Sequence, residues 1–413
     1  MKILHVIDTM DPRAGGPCQG VRNLARRLRA MGHLWEVVCL DEPHEDYLAN
    51  EKIPVYALGR GHTAWSYHPD LKPWLEHNLP RYDGVIVNGL WQYPGYVVSK
   101  LAQFPGSPPY FVYPHGMLDP WFQNAGGRRF KALRNWIYWK LIERNVINRA
   151  KAVLFTCAEE KRLARGTFCP YCPQNEINVG YGVAEPPVFT EQMTNAFLDN
   201  CPDLRGARYY LFLSRIHPKK GIDLTIKAYA AVYHASAVTD PLSIPHLVIA
   251  GPGLETEHGR ALQKLANDLC PPGFVHWPEM LKGNAKWGAL YGAEAFVLNS
   301  HQENFGIAVA EALACATPVL ISDQVNIWQE IAADKAGMVT RDTEAGAKQI
   351  FSQWQDLSTE DRAGMKKAAR GCYIKRFGVN SAANQLLATL KQLIGPKAEA
   401  SLLTVEGHFI PQP

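Results

Sequence analysis

Residues 295–321 read AFVLNSHQENFGIAVAEALACATPVLI. The apolar run Ala295–Leu298 is short and β-rich, which predicts a buried strand. A polar loop follows, and a helix is expected from about Phe305. Thr317-Pro318 stops that helix, and Pro318–Ile321 predicts a second strand. Strand, helix and strand in so short a span make a parallel crossover unit, because two parallel strands need a helix-length connection between them. Working outward, the same alternation runs back through Gly273–Trp277, His246–Ala250, a helix from about Gly221, and Tyr209–Leu213. It then breaks over 184–207, where Glu-Pro-Pro, Asn-Cys-Pro-Asp and Leu-Arg-Gly read as a linker with one helix inside. Upstream it resumes with Lys2–Ile7, Glu36–Leu40, Gly84–Asn88, Tyr110–Tyr113 and Ala152–Thr156. Val21, Leu24, Leu28 and Met31 mark one helix face near the start, and Phe130, Leu133, Ile137 and Leu141 mark another that is expected to pack on the core.

The expected fold class is therefore α/β, with two doubly wound, Rossmann-like parallel-sheet domains facing each other across a cleft. Domain one covers 1–183, the linker 184–207 and domain two 208–379. A last helix over about 380–394 is expected to pack back on the first domain, before an irregular tail at 395–413. The length of 413 residues suits two domains, and a net charge of +4 is too mild for a dedicated nucleic-acid binder. Nine scattered cysteines, an odd number, argue for reduced thiols in a cytosol and against a disulfide scaffold. Cys169 and Cys172 form one CxxC without a second ligand pair, so a surface loop is expected there and no metal. His5 and Asp8 interrupt the apolar start, so no signal peptide is expected. No apolar run is long enough to span a bilayer. The expected location is cytoplasmic.

Ligands of such sheets bind beyond the carboxyl ends of the strands, so loops that follow strands carry the candidates. Arg215 and Lys220 lie in SRIHPKKG, between a strand and a helix. Two cations at a helix N-terminus suit a diphosphate, though a solvated basic turn would look the same. Glu303 and Glu311 flank the start of the helix in the opening stretch. A carboxylate accepts paired hydrogen bonds from vicinal hydroxyls, so two of them aimed at one cleft suit a sugar and a ribose. The alternative is a cap for Glu303 and solvent for Glu311. Gly306 permits close backbone approach. Gly16, in AGGP after the first strand, could bring backbone N–H groups to a phosphate or sugar, without matching a dinucleotide fingerprint. His115 sits in PHGMLDP just past a strand, with Asp119 read as a turn or helix cap.

These pieces, in this order and spacing, resemble the retaining glycosyltransferases of family 4, the group 1 enzymes with the GT-B fold. Glu303 through Glu311 matches the E-x7-E signature. Arg215 through Lys220 matches the family's Arg-x4-Lys clamp, Ala250-Gly-Pro-Gly253 its glycine-rich strand end, and Glu311–Val319 its helix-to-strand passage. The resemblance implies catalytic roles for Glu303, His115, Arg215 and Lys220. It implies donor contacts from Gly16, Arg215, Lys220, Met280, Glu303, Asn304, Phe305, Gly306 and Glu311. It further implies hexosyl transfer with retention from a UDP- or GDP-linked sugar, without metal or other cofactor. The implied acceptor is a saccharide or polyprenyl-linked saccharide, as in exopolysaccharide or O-antigen assembly. The absence of any Asp-x-Asp agrees with phosphate neutralisation by protein cations. Two positions depart from the family pattern: Ala316 and Glu279 stand where glycine is common. Ala316 is tolerated unless its φ is positive, and Glu279 bears on how the base is met.

Two rival readings share the scaffold: a sugar-nucleotide epimerase, and a non-catalytic sugar-nucleotide sensor. Residues 128–151 are basic, with Trp136, Tyr138 and Trp139 among the cations. They read first as a core helix with a charged exterior and second as a peripheral contact on an anionic membrane.

Overall fold

The computed structural model describes residues 1–124, 129–236 and 244–395. Beyond Gly395 the expected tail lies outside the described residues, as does Arg128 at the start of the basic segment. The first sheet has seven strands: β1 (Lys2–Ile7), β2 (Leu34–Cys39), β3 (Val55–Ala57), β4 (Gly84–Asn88), β5 (Tyr110–Tyr113), β6 (Ala152–Phe155) and β7 (Glu176–Asn178). The second has six: β8 (Tyr209–Leu213), β9 (His246–Ala250), β10 (Val275–His276), β11 (Ala295–Leu298), β12 (Val319–Ser322) and β13 (Gly337–Thr340). Every pairing is parallel. The orders are β3-β2-β1-β4-β5-β6-β7 and β10-β9-β8-β11-β12-β13. In each sheet the order reverses beside the first strand, between β1 and β4 and between β8 and β11. A crevice opens at such a point because the flanking crossovers run to opposite faces.

Both faces of the first sheet are covered, and alternate residues of one strand feed different cores. Val85 and Val87 of β4 join Leu4, Val6 and Val112 on one side. Ile86 joins Ile3, Ile7 and Phe111 on the other. This two-sided burial makes the strands read as continuous apolar runs. The second domain has its own core, from Leu211 and Phe296 out to Trp354.

The chain passes between the domains twice, at neighbouring points. Val183 N–H donates to Phe377 O at 2.9 Å, and Val379 N–H donates to Val183 O at 2.8 Å. After the second crossing, helix Val379–Ile394 lays Ala382, Leu386 and Leu390 into the first domain's core against helix Gly16–Ala30. Helix Glu191–Leu198 packs on helix Gly283–Gly292 and puts Phe197 into the second domain's core. That part of the expected linker thus folds with the second domain.

One helix departs from its reading. Leu133, Ile137 and Leu141 are exposed by 57%, 46% and 70%, so the stripe expected in the core faces solvent. Packing is taken over further along by Trp139, which opens a π-helical turn at Trp139–Glu143, and by Val146 and Ile147 beyond it. No helix among the described residues is long and apolar enough to cross a membrane. Cys169 and Cys172 are exposed.

Candidate active site

The turn after β8 carries Arg215 and Lys220 to the start of helix Ile222–Ser236. Gly221 makes the turn possible. Its φ is 58°, and a Cβ there would stand 1.8 Å from the carbonyl oxygen of Asn299, just past β11. Only glycine lets the two strand ends approach this closely. The approach brings the Lys220 ammonium onto a carboxylate oxygen of Glu303, with Lys220 only 8% exposed. Arg215 is exposed and makes no ion pair among the described residues, so its guanidinium is available to a ligand. The turn is electropositive. Burial and then the charges of Arg215, Lys219 and Lys220 hold the pKa of His217 below its ordinary value.

The loop after β11 is fixed by main-chain bonds. Glu303 N–H donates to Gln324 O at 3.0 Å, and Asn326 N–H donates to Glu303 O at 3.0 Å. Gly306, left-handed at φ 74°, then opens helix Ile307–Ala314. Glu311 falls in its second turn and accepts from Lys286 Nζ at 2.8 Å. Each of the two expected carboxylates is therefore paired with a lysine. Lys286, on a helix remote in sequence, carries no local signal.

The first domain meets these loops directly. A Cβ on Gly116, φ 81°, would lie 2.5 Å from Asn304 Cγ, and one on Gly16 would lie 3.4 Å from Ile307 Cδ1. Asn304 Nδ2 also donates to Thr156 Oγ1 at 3.3 Å. The Asn304 side chain is thus committed to the interdomain contact. The Phe305 side chain packs on Tyr181 and Phe377, with ring centroids 4.9 and 5.7 Å away. This leaves the backbone of Phe305, not its ring, for a donor. Asp119 caps Trp121 N–H at 2.8 Å and accepts from Gln302 of the second domain at 3.0 Å. Met280, after β10, has an exposed side chain, next to Glu279 at φ 55°. Glu279 therefore adopts the backbone region that glycine prefers. Ala316 does so as well, at φ 58°.

His115 is held in a tight turn, itself at φ 52°. Its ring stacks on Tyr113 at 4.5 Å, and its Nε2 lies 3.2 Å from Asn88 Oδ1. Asn88 Nδ2 in turn lies 2.9 Å from Nδ1 of the buried His5. With the amide so oriented, His115 Nε2–H donates to Asn88, and Asn88 donates to an unprotonated His5 nitrogen. Burial pushes both histidines down to about 3. Below the turn, Glu160 Oε1 accepts from Gly116 N–H at 2.5 Å, and its other oxygen accepts from Thr156. Burial raises Glu160 above the usual carboxylate range, against the pull of these donors. Asn88, His5 and Glu160 carry no signal in the sequence, where none lies in a recognisable pattern.

Two Rossmann-like parallel-sheet domains, with a cationic turn on one facing a neutral histidine turn on the other, make a GT-B scaffold. The chain belongs to the group 1, family-4-type glycosyltransferases. Residues 204–371 match the family described as "Glycosyl transferases group 1", and residues 15–175 match "Glycosyl transferase 4-like domain". Curated relatives include D-inositol 3-phosphate glycosyltransferases. The protein from Thermomonospora curvata is 38% identical over 124 residues, covering 28% of this chain and 27% of its own. The protein from Frankia alni is 30% identical over 206 residues, covering 48% of each. The chain thus spans about half, or less, of the length of the curated relatives it matches. Among solved structures, HepE from Anabaena in complex with UDP and glucose superposes with a TM-score of 0.72 at 16% identity, covering 95% of this chain and 100% of its own. A glycosyltransferase from Rickettsia africae gives 0.71 at 13%, covering 95% and 98%. At such identities the likeness is one of fold.

Proposed function

We propose that this chain transfers a hexose-type sugar, with retention, from a UDP- or GDP-linked donor to a saccharide or lipid-linked saccharide. The observation that carries the reading is the Lys220–Glu303 pair beside Arg215, which has no ion-pair partner among the described residues, at the switch point of the second sheet. Arg215 and Lys220 hold the diphosphate and offset the charge that grows on it as the bond from the anomeric carbon to phosphate oxygen breaks. Stabilisation of this kind is commonly the largest catalytic contribution. The acceptor oxygen attacks from the same face, and the departing phosphate takes its proton. Glu303 orients the sugar, Glu311 holds the ribose, and His115, neutral at physiological pH, offers a lone pair and no repelling charge to the developing cationic centre. Protein cations make a metal unnecessary for leaving-group stabilisation in this scheme.

The acceptor side supports an uncharged polyol. A recess of about 340 Å³ beyond β1 and β2 is lined by Asp8, Asp11, Asp41, Glu42 and Glu45 against Arg13 and Arg60. Carboxylates in excess suit sugar hydroxyls better than a phosphate, which favours an acceptor that presents hydroxyls to this recess.

A thermal-shift screen of UDP-, GDP-, ADP- and CMP-sugars identifies the donor, since a ligand at 100 times its Kd adds about 2.7 kcal/mol. Donor consumption is then followed with and without a neutral oligosaccharide acceptor. Acceptor-dependent release of the nucleotide supports transfer. Conversion without acceptor would instead indicate an epimerase, and no conversion a sensor.

A further inference from the structure

Leu133, Ile137 and Leu141 recur every four residues on one helical segment and all face solvent, with Trp136 beside them, 50% exposed. Such a stripe ordinarily packs against a core, and here no described element covers it. The segment that carries it is strongly one-signed in composition. Residues 128–151 contain eight Lys and Arg and a single acidic residue, Glu143. Glu143 is 1% exposed on the buried side of the segment, so no carboxylate of this segment shares the stripe's face. Arg134 is exposed next to Leu133, and Lys140 Nζ lies 5.3 Å from the Trp136 ring centroid.

We infer that this face of the first domain docks on an anionic phospholipid surface, with Leu133, Ile137 and Leu141 entering the headgroup–acyl boundary and Arg134 and Lys140 meeting lipid phosphates. An apolar stripe edged with cations is the composition that binds such an interface: the stems of long cations lie along apolar surface while their charges reach the headgroups, and a tryptophan ring settles at that depth. A second copy of the chain is a poor occupant, because self-pairing would set like charges against each other. The inference is independent of the transferase reading. It adds that the reaction would take place at a membrane face.

The full chain is tested by co-sedimentation with vesicles of phosphatidylcholine containing about one-third phosphatidylglycerol, and with pure phosphatidylcholine vesicles. Binding is expected on the anionic vesicles only, weakening as salt rises. The Leu133→Gln/Ile137→Gln/Leu141→Gln variant should lose about tenfold or more in binding, and Arg134→Gln/Lys140→Gln should lose several-fold with a shallower salt dependence. All five side chains lie at the surface, so both variants should keep the wild-type melting temperature and donor turnover. Brominated lipids should quench wild-type tryptophan fluorescence and quench Trp136→Phe less. Absence of binding by the full chain overturns the inference, as does binding that the triple variant retains. Binding that appears only once the chain is ended at Gly395 would make the chain's own C-terminus the occupant, and a wild-type dimer that the triple variant dissolves would make it a second copy. Either outcome also overturns the inference. Turnover on a soluble acceptor is measured alongside, so a failed membrane experiment leaves the transferase reading separately decided.

Discussion

The two walls of the cleft handle charge in opposite ways. On the second domain, full charges meet in pairs at the cleft: Lys220 with Glu303, and Lys286 with Glu311. On the first, the polar groups linked to the His115 ring carry no charge: His115, Asn88 and His5 are joined by hydrogen bonds, and burial keeps both rings unprotonated. A wall of paired charges can exchange a partner for a ligand's phosphate or hydroxyls at little cost, because the remaining member stays compensated. A neutral wall cannot offer charge, but it fixes shape and avoids repelling a cationic transition state. In the proposed reaction the same fold, used twice, would supply leaving-group electrostatics on one side and geometry on the other.

The most damaging test of this contrast removes charge from the second wall. Lys220→Met and Arg215→Gln should each lower turnover by about 100-fold or more, with a smaller effect on the donor KM, since the contact tightens as charge moves onto phosphate. The double variant should lose less than the product of the singles, because both act on one group. Near-normal turnover in both singles would reduce this turn to a solvated basic loop.

The first wall is tested through acid. His5 is 1% exposed and stays neutral down to about 3, whereas in the unfolded chain it takes up a proton near its ordinary value of 6.5. The unfolded state therefore binds more protons between these values, and stability falls as pH drops below about 6.5. From pH 6.5 to 5, His5 alone should cost about 1.5 kcal/mol, read from denaturant midpoints. A flat profile would mean that His5 accepts a proton in place, with Asn88 turning its oxygen towards it, and that the neutral wall is not held neutral.

A smaller effect sharpens the pairing. If Glu311 holds ribose while Lys286 compensates it, Glu311→Ala should weaken free nucleotide and nucleotide-sugar alike, by about tenfold (~1.4 kcal/mol). Titration calorimetry with both ligands reads this, and an unchanged nucleotide affinity would take Glu311 out of the site. The smallest effect concerns backbone. At φ 58° the Ala316 methyl is strained, and Ala316→Gly exchanges about 1–2 kcal/mol of strain for roughly 0.4–1 kcal/mol of unfolded-chain entropy. A rise of about 1 kcal/mol or less is expected by thermal unfolding, with turnover unaltered. A clear loss would show that the turn bears no strain.

Several of these features are legible in the amino-acid sequence. β4, β5, β8, β9 and β11 coincide with their expected spans, because strands buried on both faces must be apolar without interruption. The strand-to-helix turns are legible as well, since a charged or glycine-bearing loop between two such runs is a local pattern. The Lys220–Glu303 neighbourhood follows from it once both loops leave adjacent strands. The short outer strands β3, β7 and β13 are not legible in this way. At three or four half-buried residues each, including Glu176 and Asn178, they have little apolar periodicity to show.

Local patterns of residues specify the two-domain α/β plan and the motif residues of the second wall, because both rest on single strand–turn–helix units. Which groups complete the site, and which surface is left bare, follows from long-range packing. Lys286 reaches Glu311 from another helix, and Asn88 and His5 reach His115 from neighbouring strands. Gly116 meets Asn304 across the two domains. None of these separations leaves a mark in local composition. The stripe Leu133–Ile137–Leu141 shows the same limit from the other side: periodicity specifies that a helix has an apolar face, and what that face meets depends on how the rest of the chain packs.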